Sequence, residues 1–231
     1  MTMNTYEVIK TRRCTRKFKA EAVPDDKLEK ILDAGRAAPC GGNSQTTHFL
    51  VIRSPKVLKE LAELVCRTFS AMEVKPGMYK SMQAVIKAAQ KGNFAFHYNA
   101  PVLIVTANKI GYGNAMADCA CAIENMMLMS NELDLGSCYI NQLHWLDENA
   151  AVRDYLMKLG LAEDETVCAS MVVGLPDTAD GLPQRTERKI TGNPVSYVDR
   201  DGRKREQHER KSRTHAKNTG SRVLPHHGGR L

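Results

Sequence analysis

Residues 11–18 read TRRCTRKF and residues 39–45 read PCGGNSQ, and these two stretches decide the fold and function that the sequence predicts. The first holds four cations in eight residues, three of them arginines, whose planar guanidinium groups match the oxygens of a phosphate. The second is a glycine-bearing turn in which the Asn43 and Gln45 amides can hydrogen-bond the edge of a heterocycle. Together they indicate a nucleotide-like cofactor, although a short charge run by itself is more often a solvated surface.

Segments further along the chain support this interpretation. An acidic helix start follows at 24–26, and the chain later reads NAPVLIV at 99–105, LGSCYI at 135–140 and VVGLP at 172–176. In order and spacing these pieces resemble the nitroreductase family of FMN-dependent oxidoreductases, whose N-terminal signature is RRSxRxF, an acid-capped helix and APSxxNxQPWxF. The resemblance spans residues 4–198.

The composition is that of a globular domain. The chain has 231 residues, of which 42% are hydrophobic and 26% charged, which suits one domain with a sizeable core. No stretch approaches the ~18 uninterrupted apolar residues of a membrane span, and the N-terminus has no apolar leader region. We therefore expect no membrane partner and a cytoplasmic location.

The cysteines do not form a recognisable framework. Their number is odd and no CxxC spacing occurs, so we expect no disulfide scaffold, no metal site and reduced, mostly buried thiols. The seven positions are 14, 40, 66, 119, 121, 138 and 168.

The positive charge is concentrated at the C-terminal end. Residues 199–231 carry ten Lys/Arg and four Asp/Glu, or +6 of the net charge of +7. This segment has few large apolar residues and cannot offset its ordering entropy by burial. The sequence therefore predicts a cofactor-binding domain over 1–198 and a basic, disordered tail over 199–231. Because the charge belongs to the tail, it argues against a nucleic-acid-binding function.

Apolar periodicity and turn residues predict an alternation of helices and strands. Residues 70–98, rich in Met, Lys and Gln, give no clear pattern, and the family often places a variable helical excursion there. The helix over 114–133 is apolar on most sides and is expected to be buried and shared between subunits. The other predicted helices are 6–10, 24–37, 57–68 and 147–159, and the strands are 49–52, 102–107, 138–140 and 166–173.

The resemblance implies a set of cofactor contacts. Basic residues from both ends of the domain would grip the FMN phosphate, assisted by the backbone at Cys14. Asn43 and Gln45 would lie beside the flavin, and the backbone of Tyr139, Ile140 and Asn141 would pack on the ring. The organic chemistry would be the cofactor's, so no catalytic side chain is predicted. The basic residues are Arg12, Arg13, Arg16, Arg188 and Lys189.

The implied fold is α+β, a mixed sheet flanked by helices, built as an intertwined homodimer with the flavin at the subunit interface. The implied reaction is ping-pong: NADH or NADPH reduces FMN, which then reduces a small-molecule acceptor such as a nitroaromatic or a quinone. Two alternatives stay open. One is a specialised branch, in reductive dehalogenation or flavin cleavage, and the other is a non-catalytic flavin-binding or storage protein.

Three departures from the family pattern affect the predicted site. Cys14 and Cys40 stand where the pattern has Ser, so a hydroxyl donor is replaced by a weak thiol at each position. Thr46 and Thr47 replace Pro-Trp, which removes a large aromatic ring near the flavin. These changes prevent the transfer of a substrate preference from the family.

Overall fold

The computed structural model of the protein describes residues 3–92, 94–200 and 202–206, with the side chains of 204–206 left out. The chain divides into two units, one ending at Arg188 and the other beginning at Lys189. The first unit contains a four-stranded sheet with helices on both faces. The α+β class predicted from the sequence is confirmed.

The elements of the first unit follow one another in an irregular alternation. Its helices are α1 (Thr5–Thr11), α2 (Asp25–Arg36), α3 (Pro55–Ser70), α4 (Lys80–Gln90), α5 (Ala115–Glu132), α6 (Gln142–Trp145) and α7 (Ala150–Lys158). Its strands are β1 (His48–Ile52), β2 (Val102–Lys109), β3 (Gly136–Ile140) and β4 (Glu165–Gly174), and a short 3-10 turn spans Gly41–Asn43. Each helix and strand predicted over the first unit has a counterpart within a few residues, and α4 occupies the stretch that the sequence left unassigned.

The sheet has the order β1-β2-β4-β3 and its strand pairings are antiparallel. The sequence predicted a mixed sheet. In the described part of the chain the parallel component is a single isolated bridge between Cys14 and Ser137, outside the named strands. The reason is that the segment after α1 runs beside β3 for one residue pair only and then turns away.

The core forms two layers because side chains alternate across the sheet. Leu103 and Val105 of β2 pack with α3, α4 and α7, whereas Val102 and Ile104 pack on the opposite face with α2 and α5. The central strands β2 and β4 are buried almost throughout, as their continuous apolar sequences predict. The sheet therefore separates α5 on one side from α3 on the other.

The helix α5 is buried on the side that faces the sheet, where Ile123, Met126 and Met127 are almost fully covered. Its other side is open in the single chain: Met116 is 47% exposed, and Ala117, Ala120, Cys121 and Glu124 follow it at helical spacing as exposed residues. A single copy of the chain therefore buries only one side of α5, whereas the sequence predicted that the helix is buried on most sides.

The second unit contains a hairpin of β5 (Ser196–Val198) and β6 (Lys204–Glu206), paired antiparallel. The hairpin crosses the predicted boundary between 198 and 199 and extends a few residues into the segment predicted to be disordered, because main-chain pairing with β5 orders β6. The remainder of that segment, 207–231, lies outside the described residues.

Across the part of the chain that the structure describes, no helix is both long and apolar enough to cross a membrane.

Candidate functional site

The arginine-rich loop between α1 and α2 is held against the ends of two strands. The Thr15 amide donates to the Ser137 carbonyl at the start of β3, at 2.9 Å, and the Lys19 amide donates to the Leu175 carbonyl just after β4, also at 2.9 Å. An isolated antiparallel bridge between Phe18 and Pro176 accompanies the second contact. These main-chain bonds fix the path of residues 12–19 independently of their charged side chains.

The entry to this loop is fixed by α1 and by one buried side chain of α5. A capping box between Asn4 and Glu7 begins α1. The Asn131 amide nitrogen, 3% exposed, donates to the Val8 carbonyl at 3.1 Å and to the Thr11 hydroxyl at 3.3 Å. The end of α1, and with it the position of Arg12, is therefore set by α5.

Asn131 also forms hydrogen bonds with the C-terminal end of the first unit. Arg185 donates from Nε to Asn131 Oδ1 at 3.3 Å and from Nη2 to the Asn131 carbonyl, and it pairs with Asp134 at 2.7 Å. Glu187 forms an ion pair with Lys10 of α1. Arg188 follows directly as an exposed residue, so the structure brings it to the same end of α1 as Arg12. Lys189 is exposed and begins the second unit.

The three arginines of the loop have different surroundings. Arg12 is half-buried and has two partners. Its Nε atom is 3.5 Å from Oε1 of Glu124 on α5, and its Nη1 atom is 3.9 Å from the sulfur of Cys14. Arg16 lies over the Tyr98 ring at 5.9 Å from its centroid. Arg13 is half-buried and has no ion pair among the described residues. The loop therefore carries more positive charge than its protein partners neutralise.

Cys14 and Cys138 form a thiol pair that links this loop to β3. The buried Cys138 thiol donates to the Tyr139 carbonyl at 3.5 Å. The hydrogen bond that the same thiol donates to Cys14 when it rotates, together with Arg12 and Arg16, lowers the pKa of the Cys14 thiol to about 5. The same interaction and burial raise the pKa of Cys138. Since Cys14 is exposed and lies beside two guanidinium groups, we assign the thiolate to Cys14 and the proton to Cys138.

The second predicted stretch is a tight turn with left-handed backbone at Gly42, Asn43 and Gln45, where φ is 59°, 54° and 50°. The two amides predicted to bind a ring contact each other, since Gln45 Nε2 donates to Asn43 Oδ1 at 3.0 Å. The Gln45 main-chain amide donates to Cys40 Sγ at 3.3 Å. The cysteine that replaces serine therefore accepts a hydrogen bond within the turn.

A buried carboxylate positions this turn. Asp118 of α5, 6% exposed, accepts from the Gly41 amide at 3.1 Å and lies 3.0 Å from the Tyr112 hydroxyl. That hydroxyl is also 3.0 Å from the Gly41 carbonyl and 3.1 Å from Ser44 Oγ. A Cβ at Gly41 would be 2.0 Å from the Asn114 side chain, so only glycine fits here. A cavity of about 170 Å³ beside the turn is lined by Cys40, Gln45 and Asp118.

The third predicted segment joins β3 to α6. Ile140 is buried, Tyr139 is half-buried with its pKa raised by burial, and Asn141 precedes α6 and accepts from the Trp145 amide at 2.9 Å. Two buried polar atoms here have no partner: Oε1 of Gln142, the first residue of α6, and Oγ of Ser170, which pairs with Ile140 across the sheet. Within the described residues, both atoms are therefore buried polar groups whose hydrogen bonding is incomplete.

The helix α5 links the loop to the turn. Arg12 contacts α5 at Glu124 and the turn contacts it at Asp118, six residues earlier, or roughly 9 Å along the helix axis. Cys14 contacts β3 beside Ser137, and the ring-side segment begins at Tyr139, two residues further along the strand. The structure therefore gathers the predicted residues of the first unit around α5 and β3.

Sequence reasoning missed the contacts that position these residues. Asp118 and Tyr112 hold the turn, Asn131 holds the loop, and Cys138 pairs with Cys14. The available signal was the presence of Asp118 and Asn131 in an otherwise apolar helix, because a polar residue in a buried helix needs a partner. Nothing in the sequence indicated which partner each one has.

The two histidines nearest to these elements are hydrogen-bonded to other parts of the fold. His48 Nδ1 is 2.8 Å from the buried Glu165 carboxylate, and His144 Nδ1 is 2.7 Å from the Val167 carbonyl. Within the described residues no group of three or more His, Cys, Asp or Glu is arranged to hold a metal ion.

Comparison with known proteins agrees with this arrangement. The family described as "Nitroreductase family" matches residues 9–175. A crystal structure described as a nitroreductase with bound FMN from Bacteroides fragilis is 31% identical, with a TM-score of 0.75, and the match covers 86% of this chain and 100% of that one. The NADPH-flavin oxidoreductase of Vibrio harveyi is 26% identical over 199 residues, 84% of this chain and 75% of that protein. A protein of Archaeoglobus fulgidus, provisionally named NADH dehydrogenase/NAD(P)H nitroreductase, is 29% identical over 170 residues, covering 74% and 84%.

The thiol pair gives a testable pH dependence. Because the pKa of Cys14 is lowered to about 5, its thiolate fraction rises as the pH increases through that value and is nearly complete at neutral pH. Iodoacetamide should therefore alkylate Cys14 at a rate that is half-maximal near pH 5, as followed by peptide mass spectrometry. In a Cys138→Ala variant the half-maximal pH should move upward, because the main hydrogen bond to the thiolate is lost.

A short unstructured peptide with a single cysteine provides the control, since its thiol has the ordinary pKa of about 8.5 and its rate should continue to rise into the alkaline range. If Cys14 and this peptide show the same pH profile, the assignment of the thiolate to Cys14 is wrong.

Proposed function

Because this chain belongs to the nitroreductase family, we propose that it is an FMN-dependent oxidoreductase that takes electrons from NADH or NADPH and passes them to a small organic acceptor such as a nitroaromatic or a quinone. The observation that carries the proposal is the arginine-rich loop, which is fixed by main-chain bonds at Ser137 and Leu175 and retains uncompensated positive charge. The FMN bound to the Bacteroides fragilis relative supports the same cofactor here.

The residues at the loop fit a phosphate group. Arg12, Arg13 and Arg16 lie on the loop, and the ion pair between Lys10 and Glu187 supports a position of Arg188 near the same end of α1. We assign these four to the phosphate. For Lys189, which begins the second unit, the same role stays a prediction from the sequence. Guanidinium groups would form charge-assisted hydrogen bonds with it. The main chain at Cys14 is already held at β3, so it would need little reorganisation.

The residues at the other end fit a planar polar ring. Asn43 and Gln45 present amide donors and acceptors on a rigid turn, and we assign them to the flavin edge or the ribityl hydroxyls. The segment from Tyr139 to Asn141 would pack on the ring through its backbone. Gln142 Oε1, buried and unpartnered, adds an acceptor at this end. A partner for this atom is what a bound ring would provide.

When bound, FMN supplies the hydride and electron transfer chemistry, accepting from the nicotinamide and giving to the acceptor in a ping-pong sequence. The protein's part is to hold and orient the cofactor. Of its histidines near the site, His48 is bonded to Glu165 and His144 to the Val167 carbonyl.

We further propose that the site is completed by a second copy of the chain. The cavity at the turn, about 170 Å³, is smaller than the ~300 Å³ at which ligand pockets commonly begin. Ala117, Ala120 and Cys121 on the open side of α5 lie between the contacts of the turn and those of the arginine loop. A two-fold interface along α5 would bury the same side on both copies and enclose the cofactor between them.

The activity is tested anaerobically with the purified protein. We expect NADH or NADPH to bleach its flavin absorbance, and a nitroaromatic or a quinone to restore it. A protein that retains its flavin colour with either nicotinamide would be a flavin-binding or storage protein, which contradicts the proposal. Permanent loss of the band on admitting oxygen would indicate flavin cleavage, and halide release from a halogenated phenol would indicate the dehalogenating branch.

The phosphate assignment predicts that Arg12→Ala and Arg188→Ala each weaken FMN binding by about 1.5–3 kcal/mol, the usual contribution of a hydrogen bond to a charged group. FMN affinity is measured by equilibrium dialysis at low and high salt, and the loss should be smaller at high salt because screening already weakens the wild-type contacts. Lys30→Ala is the control, since Lys30 is exposed on α2, pairs with Asp26 and lies outside the lining of the cavity at the turn. Unchanged FMN affinity in the Arg12/Arg188 double variant would contradict the assignment.

If the proposed dimer forms, a substitution that disrupts the subunit interface should also weaken FMN binding. Ala120→Arg places a charge on the open side of α5 and should yield a monomer with at least tenfold weaker FMN binding, as measured by sedimentation of the FMN-loaded protein over a dilution series. Obligate interfaces commonly bury ~2,000 Å² or more and do not tolerate an unpaired charge. Ala84→Arg, on the exposed side of α4, is the matched control. A wild-type monomer that keeps its FMN at nanomolar concentration would overturn this proposal.

A further inference from the structure

A cavity of about 1180 Å³ lies beside α3, between that helix and the chain from Ala89 to Val102. None of the residues assigned to the cofactor lines it. Its size is slightly above the ~300–1,000 Å³ typical of pockets for drug-sized ligands. The cavity is therefore large enough for a ligand of its own.

The floor of this cavity is apolar. The side of α3 that lines it extends from Pro55 to Ser70, or roughly 22 Å along the helix axis. The opposite wall runs from Ala89 to Val102 and is closed at one end by residues 20–23. The apolar lining residues include Leu58, Ala62, Cys66, Phe94, Ala100 and Val102. An apolar surface of this length favours a polycyclic or extended ligand.

One polar side chain in this lining lacks a partner. His97 is only 5% exposed, and its Nδ1 atom is buried without a hydrogen bond to any residue that the structure describes. Burial lowers the pKa of His97, so its imidazole is neutral at pH 7 and can donate through one ring nitrogen and accept through the other. A buried polar atom without a hydrogen bond raises the free energy of the folded protein. A ligand group that forms a hydrogen bond with the His97 ring would therefore bind favourably.

The backbone around His97 is rigidly held. Tyr98 and Asn99 both have left-handed φ values, 54° and 55°, in a turn closed by the bond from the Ala100 amide to the His97 carbonyl at 3.0 Å. The Phe96 ring is fully buried and 5.4 Å from the His97 ring. The imidazole is therefore presented by a fixed turn and would not have to be ordered on binding.

The charges at the rim do not select for an ion. Lys59, Glu63 and Arg67 line the cavity at successive helical turns and alternate in sign, and none of them forms an ion pair among the described residues. Arg53, at the other end, pairs with Asp25 at 2.6 Å. With mixed charge at the rim and a neutral ring in the lining, the chemistry favours an uncharged ligand.

We propose that this cavity is a binding site for an uncharged, largely apolar small molecule of polycyclic size that carries a hydroxyl group, which hydrogen-bonds the His97 ring. The apolar body of the ligand packs between α3 and the segment from Phe94 to Val102. The site is separate from the cofactor site proposed above and does not depend on it.

The test uses the full-length FMN-loaded protein and two probes of nearly equal shape, pyrene and 1-hydroxypyrene, with affinities measured by equilibrium dialysis. Both should bind saturably, and 1-hydroxypyrene roughly 3- to 10-fold more tightly, because one neutral hydrogen bond is gained. 1-Pyrenecarboxylate should bind more weakly than 1-hydroxypyrene, since its carboxylate would lose hydration against the apolar lining around His97.

Three variants locate the binding. His97→Phe should abolish the preference for 1-hydroxypyrene while pyrene still binds, and His97→Gln should restore part of the preference through its amide. Ala62→Trp should fill the cavity and weaken both probes at least 10-fold, whereas Ala151→Trp, exposed on α7 and outside the lining, should change neither. FMN content should be the same in all four variants.

Several results would overturn the proposal. Absence of saturable binding to the wild-type protein would mean that another part of the chain or a second copy occupies the cavity in solution. A hydroxyl preference that survives His97→Phe would remove the assigned hydrogen bond. Binding that Ala62→Trp leaves unchanged, or that excess FMN displaces, would place the probes elsewhere.

Discussion

The two main-chain hydrogen bonds from Thr15 and Lys19 to the ends of β3 and β4 are the constraint on which the cofactor site depends. The loop from Arg12 to Lys19 holds five cations, which repel one another at close range. The bonds involve peptide groups only, so the loop keeps its path whether or not an anion is present. The protein thereby keeps a concentrated positive charge in place without neutralising it, and an incoming phosphate does not have to displace an internal ion pair from Arg13.

The helix α5 extends this constraint to the rest of the site. Asn131 near its C-terminal end fixes α1 and the 185–188 segment, Glu124 meets Arg12, and Asp118 holds the turn at Gly41. Its inner side packs on the sheet through Ile123, Met126 and Met127, so these polar contacts are attached to the core. Because one helix supports both ends of the site and leaves its outer side open, cofactor binding and subunit association are expected to be coupled.

Apolar periodicity was enough to predict most of the fold. The alternating burial of β2 and the apolar stripes of α2 and α3 are local patterns, whereas α4 was left unassigned because its sequence, KSMQAVIKAAQ, has only a short apolar run. The supporting contacts could not be predicted, since Cys14 and Cys138, or Gly41 and Asp118, are far apart in sequence. The cavity beside His97 could not be predicted either, because whether a buried histidine has a hydrogen-bond partner depends on three-dimensional packing.

Cys40, Thr46 and Thr47, which depart from the family pattern, all form hydrogen bonds in or beside the turn. Cys40 accepts the Gln45 amide, Thr46 donates to Ser44 at 3.3 Å, and Thr47 Oγ1 accepts from Asn108 at 3.4 Å. Small polar residues thus hold by hydrogen bonds a turn that the family pattern surrounds with proline and tryptophan. Exchanging a large ring for threonine leaves the turn rigid and removes bulk beside the proposed flavin. The turn therefore keeps its shape through hydrogen bonds of small side chains, whereas the family pattern has the packing of a large aromatic ring at the same place.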